Sequence, residues 1–183
     1  MITSKYRIGS ALLILFLVIS CTAPEADQSA SASEESHTMS ASDKTKAPDF
    51  EVTTISGETV SLQKSMEDDK PLVVYFTASW CPICAKNWPV LSEVYPEYED
   101  RLNLVAIGID PTDDAEVMRN LSEKHGFTYP STAGHPEIML EFGVESQATT
   151  VGVNREGYIE FQKNKTALTA DEYRELFDSL VMN

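Results

Sequence analysis

Leu72-Val73-Val74-Tyr75-Phe76-Thr77, followed at once by Ala78-Ser79-Trp80-Cys81-Pro82-Ile83-Cys84, is the stretch that decides how this chain folds. Its first part is a short, near-continuous apolar run, the pattern of a strand covered on both faces. Downstream, Trp88, Leu91, Val94, Tyr95 and Tyr98 recur at the spacing of one helix face, so the two cysteines stand at a strand-to-helix junction. One helical turn separates Cys81 from Cys84, which brings their Cα atoms within the few ångströms that a disulfide tolerates. Cys81 is expected at the helix start, where unpaired N–H groups and the helix dipole favour a thiolate. Pro82 suits the first helical turn, since a missing N–H costs little there.

The chain has 183 residues and three cysteines. Near its start, Lys5 and Arg7 precede residues 8–19, an apolar stretch interrupted by Gly9 and Ser10. At about a dozen residues the stretch is too short to span a bilayer comfortably, and it matches a signal-peptide core. Val18-Ile19-Ser20-Cys21 then resembles the bacterial lipobox, in which cleavage leaves an N-terminal, lipid-modified cysteine. Residues 1–20 are therefore read as a lipoprotein signal peptide, with Cys21 carrying the lipid. More than one acyl chain on that cysteine meets the requirement for stable anchoring. With Cys21 so assigned, Cys81 and Cys84 are left as each other's only partner. In an oxidising extracytoplasmic space a lone pair of this kind can be a labile redox couple rather than a structural staple. Zinc would want four ligands, and scattered His37, His125 and His135 supply no obvious set, so no metal is expected.

The net charge is −15, and loss of Lys5 and Arg7 with the signal peptide takes the mature chain to −17. So acidic a surface argues against nucleic acid and against electrostatic docking on anionic lipid. Over residues 22–46, Ser, Ala and Thr dominate and Met39 is the only large apolar residue. Such a segment cannot bury enough surface to offset ordering, so residues 21–46 read as the lipidated N-terminus and a disordered tether. As a flexible coil it would reach roughly 25–30 Å.

The globular domain is expected over 47–183. Residues 51–55 and 59–62, around Ser56-Gly57, predict a β-hairpin, and residues 63–70 a polar loop. Residues 102–109 predict a second buried strand and 127–131 a further one. Asp113-Asp114-Ala115-Glu116 predicts a capping box for a helix with Val117, Met118 and Leu121 on its inner face, stopped by Gly126. Residues 136–142 predict a short helix, and residues 149–153 and 158–161 an antiparallel hairpin. Thr169-Ala170-Asp171-Glu172 is a second capping box, opening a helix that buries Tyr173, Leu176, Phe177, Leu180 and Val181. The order predicts an α/β domain: a mixed central sheet flanked by helices, with an N-terminal β-hairpin extension.

Ala47-Pro48-Asp49-Phe50, residues 57–62, the run from Phe76 to Cys84 and Trp88-Pro89 resemble the TlpA/ResA-like family. These are membrane-anchored or periplasmic members of the thioredoxin superfamily, related to the redoxin and peroxiredoxin branch. The likeness extends to the C-terminus and takes in Gly143-Val144 and Gly157. It implies a thioredoxin-like fold and exchange with dithiols and disulfides of extracytoplasmic proteins, apocytochromes c included. An upstream membrane electron donor would supply the electrons, and the cysteine pair would need no further cofactor. By the same resemblance Cys81 is the attacking cysteine and Cys84 the resolving one, while Trp80 shields the site and offers a flat apolar contact. Ala148 and Thr149 occupy the loop that lines the substrate groove.

Three positions depart from the family pattern. Ala148, in Gln147-Ala148-Thr149-Thr150, stands where a cis-proline is usual. A cis bond before a non-proline residue costs about 2.5–4 kcal/mol, so a trans Gln147–Ala148 bond is expected. Asn87 replaces a glutamate that many relatives carry three residues after the resolving cysteine, and asparagine cannot act as a base. Tyr75 stands where thioredoxins proper place a buried acid, and a phenol is a poor base. Slow resolution, or a base supplied by water, is the consequence.

Two other functions share some of these features. A peroxiredoxin-like peroxidase would want a threonine three residues before its cysteine, where this chain has Ala78, with Thr77 one place off. A binding protein could use the two thiolates for copper or an iron–sulfur cluster. The expected location is the cell envelope, lipid-anchored and facing the periplasm. Thr22 after the lipidated cysteine favours the outer membrane where a cell has two.

Overall fold

The computed structural model describes residues 44–182. The expected signal peptide, Cys21 and the tether up to residue 43 lie outside the described residues. The chain is already joined to the domain at Lys44, which pairs with Glu160, and Thr45, whose carbonyl accepts the Ile159 N–H at 2.8 Å. Lys46 bridges to Tyr158, so pairing begins three residues before the boundary expected at Ala47.

Strand β3 (Leu72–Thr77) is buried along its whole length. Side chains alternate across a strand, so such a run must be covered twice. Val73 and Tyr75 pack with Trp88 and Leu91 of α2 (Cys84–Val94) and with Tyr173, Phe177 and Leu180 of α5 (Ala170–Met182). Leu72, Val74 and Phe76 face the opposite way. There they meet Phe50, Val52 of β1 (Glu51–Thr53), Leu62 of α1 (Leu62–Glu67), and Ile138 of α4 (Pro136–Glu141) with the following Phe142. Burying each such side chain stabilises the fold by about 1.5–3 kcal/mol.

β4 (Asn103–Gly108) runs parallel to β3 on one side, and β6 (Thr149–Val153) antiparallel on the other. With β5 (Ser131–Gly134) and β7 (Ile159–Lys163) outermost, the order is β5-β4-β3-β6-β7. The mixed sheet flanked by helices is as expected, and β1 and β2 (Thr59–Ser61) form the separate N-terminal hairpin. Thr169 and Glu172 form their capping box at the start of α5.

Three local expectations are corrected. Helix α1 takes in Leu62, expected to end the hairpin, and residues 63–67 of the expected polar loop, because Ser61 caps it by accepting the Lys64 N–H at 3.1 Å. A Lys64–Asp68 ion pair one turn apart supports it. Helix α3 (Ala115–His125) is capped by Asp114, not Asp113, so Glu116 is not placed for a capping box. Its inner face is consequently narrower: Met118 is buried, Leu121 half-buried, and Val117 is 37% exposed. β5 starts at Ser131 rather than Phe127, after Phe127 stacks on Tyr129 at 4.8 Å and Pro130, which has no N–H to give a ladder.

Phe177, fully buried between Tyr98 and Tyr173, is a direct check on this packing. Phe177→Ala is expected to lower unfolding free energy by about 3–5 kcal/mol. Leu140→Ala, at a side chain 68% exposed, should stay within about 0.5 kcal/mol of wild type. Urea titration decides, and equal losses in the two variants would contradict the assignment of the core.

Candidate active site

The sequence places the reactive pair just beyond the buried end of β3. Cys81 and Cys84 are joined as a disulfide with Cα atoms 5.2 Å apart. The turn between strand and helix closes through the Cys81 N–H, which donates to the Ala78 carbonyl at 3.1 Å. Cys84, not Cys81, is the first residue of α2, and its N–H donates to the Cys81 sulfur at 3.1 Å. The N-cap residue Ile83 offers no side-chain acceptor, so the sulfur takes the place of one. On reduction this donor and the helix N-terminus favour negative charge on the Cys81 sulfur. Pro82 lies exposed in the turn ahead of α2 rather than in its first turn, with Cys81 2% exposed beside it and Cys84 wholly buried.

Trp80, which the resemblance implies shields the site and offers a flat apolar contact, is 56% exposed. Its Nε1–H donates to Asp110 Oδ2 at 2.6 Å. Asp110 belongs to the loop after β4, where its other oxygen accepts from the N–H and hydroxyl of Thr112. The Thr112 bonds first, and Trp80 after them, hold the Asp110 carboxyl below the usual range. In the same loop Asp113 is turned inward and is 2% exposed. Its two carboxylate oxygens accept the Ser79 N–H at 2.8 Å and the Ser79 hydroxyl at 2.5 Å. Gly134 makes room for this loop, since a Cβ there would collide with the Asp110 carbonyl. Sequence reasoning passed over both aspartates as site residues. For Asp113 the one local signal is its place beside a second aspartate that caps the helix.

Ala148 is buried in the same cluster as Cys81 and Cys84. No cis peptide occurs among the described residues, so the Gln147–Ala148 bond is trans as expected, and Ala148 takes a left-handed backbone with φ 57°. Having an N–H, unlike proline, it donates to the Phe76 carbonyl at 2.8 Å and so extends the pairing of β6 with β3. Its carbonyl accepts the Thr166 N–H at 3.1 Å. The neighbouring Thr149 hydroxyl donates to the Ser146 carbonyl at 2.8 Å.

Asn87 is a buried bracket, one turn after Cys84 on α2. Its amide nitrogen donates to the Thr166 carbonyl at 2.8 Å and the Tyr75 hydroxyl at 3.2 Å, while its oxygen accepts the Leu168 N–H at 2.9 Å. The Tyr75 hydroxyl is thereby satisfied, and burial raises its pKa well above the ordinary phenol value. Neither residue is a base at neutral pH.

Residues 44–166 match the model of the AhpC/TSA family. The chain is 30% identical over 116 residues to the thioredoxin-like protein YneN of Bacillus subtilis (strain 168), covering 63% of this chain and 67% of that protein. It is 26% identical over 132 residues to the thiol-disulfide oxidoreductase ResA of Bacillus thuringiensis subsp. konkukian (strain 97-27), covering 70% and 74%. Among solved structures, StoA from Bacillus subtilis is similar with a TM-score of 0.61 at 25% identity, covering 70% of this chain and 96% of that one. A thiol:disulfide interchange protein from Chlorobium tepidum TLS reaches a TM-score of 0.66 at 21% identity, covering 75% and 97%, a likeness of fold. Together with the Cys81–Cys84 pair at the end of β3, these findings show that the chain belongs to the AhpC/TSA family of thioredoxin-like proteins, as a thiol–disulfide oxidoreductase of the ResA kind.

Proposed function

We propose that this oxidoreductase works outside the cytoplasm, tied to a membrane through a lipid on Cys21, and reduces or exchanges disulfides of envelope proteins. The observation that carries the chemistry is the Cys84 N–H on the Cys81 sulfur, which singles out Cys81 for the thiolate. In the reduced protein the Cys81 thiolate attacks one sulfur of a partner disulfide. That S–S bond breaks, its departing sulfur takes a proton, and a mixed disulfide forms on Cys81. Cys84 then loses its proton and attacks the Cys81 sulfur, releasing the partner's second thiolate. Two electrons have passed to the partner, and Cys81 and Cys84 are again the disulfide. A membrane electron donor would restore the dithiol, and the pair itself serves as the only redox group. Trp80 gives the partner an exposed apolar face beside the sulfurs. Localisation rests on the leader and lipobox pattern of residues 1–21, and Thr22 favours the periplasmic face of an outer membrane. A peroxidase reading has less support, because Thr77 is wholly buried in the core, where its hydroxyl oxygen accepts the Trp88 Nε1–H at 2.9 Å.

Cys84→Ser should trap partners as mixed disulfides on Cys81, recovered from the membrane fraction and released by dithiothreitol. Cys81→Ser should trap none. Capture through Cys84 instead would reverse the assigned roles, and a Cys21→Ser protein that still sediments with membranes would rule out the lipid anchor.

Because Asn87 is a bracket, giving it a carboxylate should not create a useful base. Asn87→Asp turns an oxygen toward the Thr166 carbonyl and loses a buried donor, a loss of about 1–3 kcal/mol. Desolvation raises the pKa of such a carboxyl in the folded state, so the deficit is small below the unfolded value near 4. It grows as pH rises toward the folded value. Urea titrations at pH 4 and pH 7 measure this, and faster exchange by a fully stable variant would refute the bracket.

A further inference from the structure

Asp113 stands out because the residue is 2% exposed and no ion pair reaches it among the described residues. A buried charge is costly unless it is hydrogen-bonded, and among the described residues the Asp113 carboxylate is held by the backbone N–H and the hydroxyl of Ser79. The Asp113 backbone is fixed as well. Its N–H donates to the Asp110 carbonyl at 3.0 Å, and its carbonyl accepts the Gly134 N–H at 2.8 Å. Capping of α3 is done by Asp114, which accepts from Glu116 and Val117, so Asp113 is not needed there. Ser79 could be held by a neutral acceptor. The charge itself is what lacks an explanation.

Ser79 lies two residues before Cys81, a distance that a chain spans in at most about 7 Å. The carboxylate on Ser79 is thus on the order of 10 Å or less from the Cys81 backbone. We propose that Asp113 is a positioning residue for thiol–disulfide exchange: through Ser79 it fixes the turn that carries Cys81, and its negative charge restrains thiolate formation there. The pull of the Cys84 N–H and the push of Asp113 then act on the same sulfur in opposite senses. The thiolate fraction at Cys81 is thereby lower than the Cys84 N–H and the helix N-terminus alone would give. Other ionisable groups on the surrounding elements include Asp114 and Glu116 at the start of α3, His135 after β5, and Lys165 in the loop bonded to Thr149. Asp110, in the loop of Asp113, adds negative charge at Trp80. Tyr75, Tyr129 and Tyr173 are buried phenols whose pKa values are raised mainly by burial. Lys86 is exposed on α2, Glu145 is exposed in the loop before β6, and the His125 ring lies against Trp88. The inference rests on Cys81 being the attacking thiol.

The test is the pH dependence of iodoacetamide alkylation of the reduced full chain, with the labelled cysteine located by mass spectrometry. Asp113→Asn keeps an acceptor and a polar partner for Ser79 but removes the charge. Its alkylation midpoint on Cys81 should fall by about one pH unit, the effect of a unit charge at this range with an effective dielectric of about 20. Reduction of 5,5′-dithiobis(2-nitrobenzoate) at pH 7 should quicken roughly threefold, since more thiolate is partly offset by its lower nucleophilicity. Ser79→Ala removes a hydrogen bond and leaves the charge, so its midpoint should not fall. A folded Asp113→Asn protein with an unmoved or raised midpoint overturns the inference. So does a fall in Ser79→Ala, which would make the effect one of turn geometry alone; that arm still decides if Asp113→Asn does not fold. Label appearing first on Cys84 overturns the reading of Cys81 as attacking thiol, whereas label on Cys81 with an unmoved midpoint overturns the role of Asp113 alone.

Discussion

Burial of β3 on both faces is the constraint on which the site depends. Leu72, Val74 and Phe76 are held from one side, Val73 and Tyr75 from the other, and β4 and β6 pair along its two edges. A strand held on four sides has no freedom left at its end. The turn after Thr77 therefore delivers Cys81 at a fixed height, with α2 starting at Cys84 and anchored by Trp88 and Leu91 in the same core. A single backbone N–H at the free end of that helix then meets the sulfur. The rigidity comes from packing, and the chemistry uses it.

Around this fixed pair a series of hydrogen bonds joins the positions that depart from the resembled family pattern. The Asn87 amide donates to the Thr166 carbonyl, the Thr166 N–H to the Ala148 carbonyl, and the Ala148 N–H to the Phe76 carbonyl. This relay runs from the helix of Cys84, through the loop before α5, to the end of β3. It holds Ala148 in a left-handed conformation that costs about 1–2 kcal/mol for a residue with a Cβ. Each neutral hydrogen bond contributes about 0.5–1.5 kcal/mol, so the relay is of the right size to offset that strain. Substituting the residues read from sequence as missing parts would thus disturb bonds that already exist.

What the sequence disclosed, and what it hid, follows from the range of the interactions. The apolar run of β3, the helix-face spacing after Cys84 and the Thr169–Glu172 cap are local patterns, and each leads to the element observed, although α2 ends at Val94 and leaves Tyr95 and Tyr98 in and beyond a separate tighter turn. Helix α1 was obscured because it is six residues long and mostly polar, stabilised by a cap and one ion pair rather than by periodicity. Asp113 meets Ser79 across 34 residues, and Asn87 meets Thr166 and Leu168 across 79 and 81. No spacing rule reaches that far. Asp113 in particular reads as part of a helix cap until the fold shows that Asp114 has taken that place.

The polar groups that the fold buries near the pair also determine where its pH response can come from. Tyr75 is raised out of the working range by burial, and the Asn87 amide is not ionisable there. Neither can relay a proton to Cys84, so neither supplies the base for resolving a mixed disulfide. Solvent reaches the pair best from the side of Trp80 and Pro82, both exposed, because Cys84 itself is wholly covered. That side is bordered by the β4–α3 loop with Asp110 bonded to Trp80 and Asp113 bonded to Ser79. Proton traffic and electrostatic control therefore fall on one face, while the opposite side of the pair is sealed by apolar side chains and by the Asn87 relay.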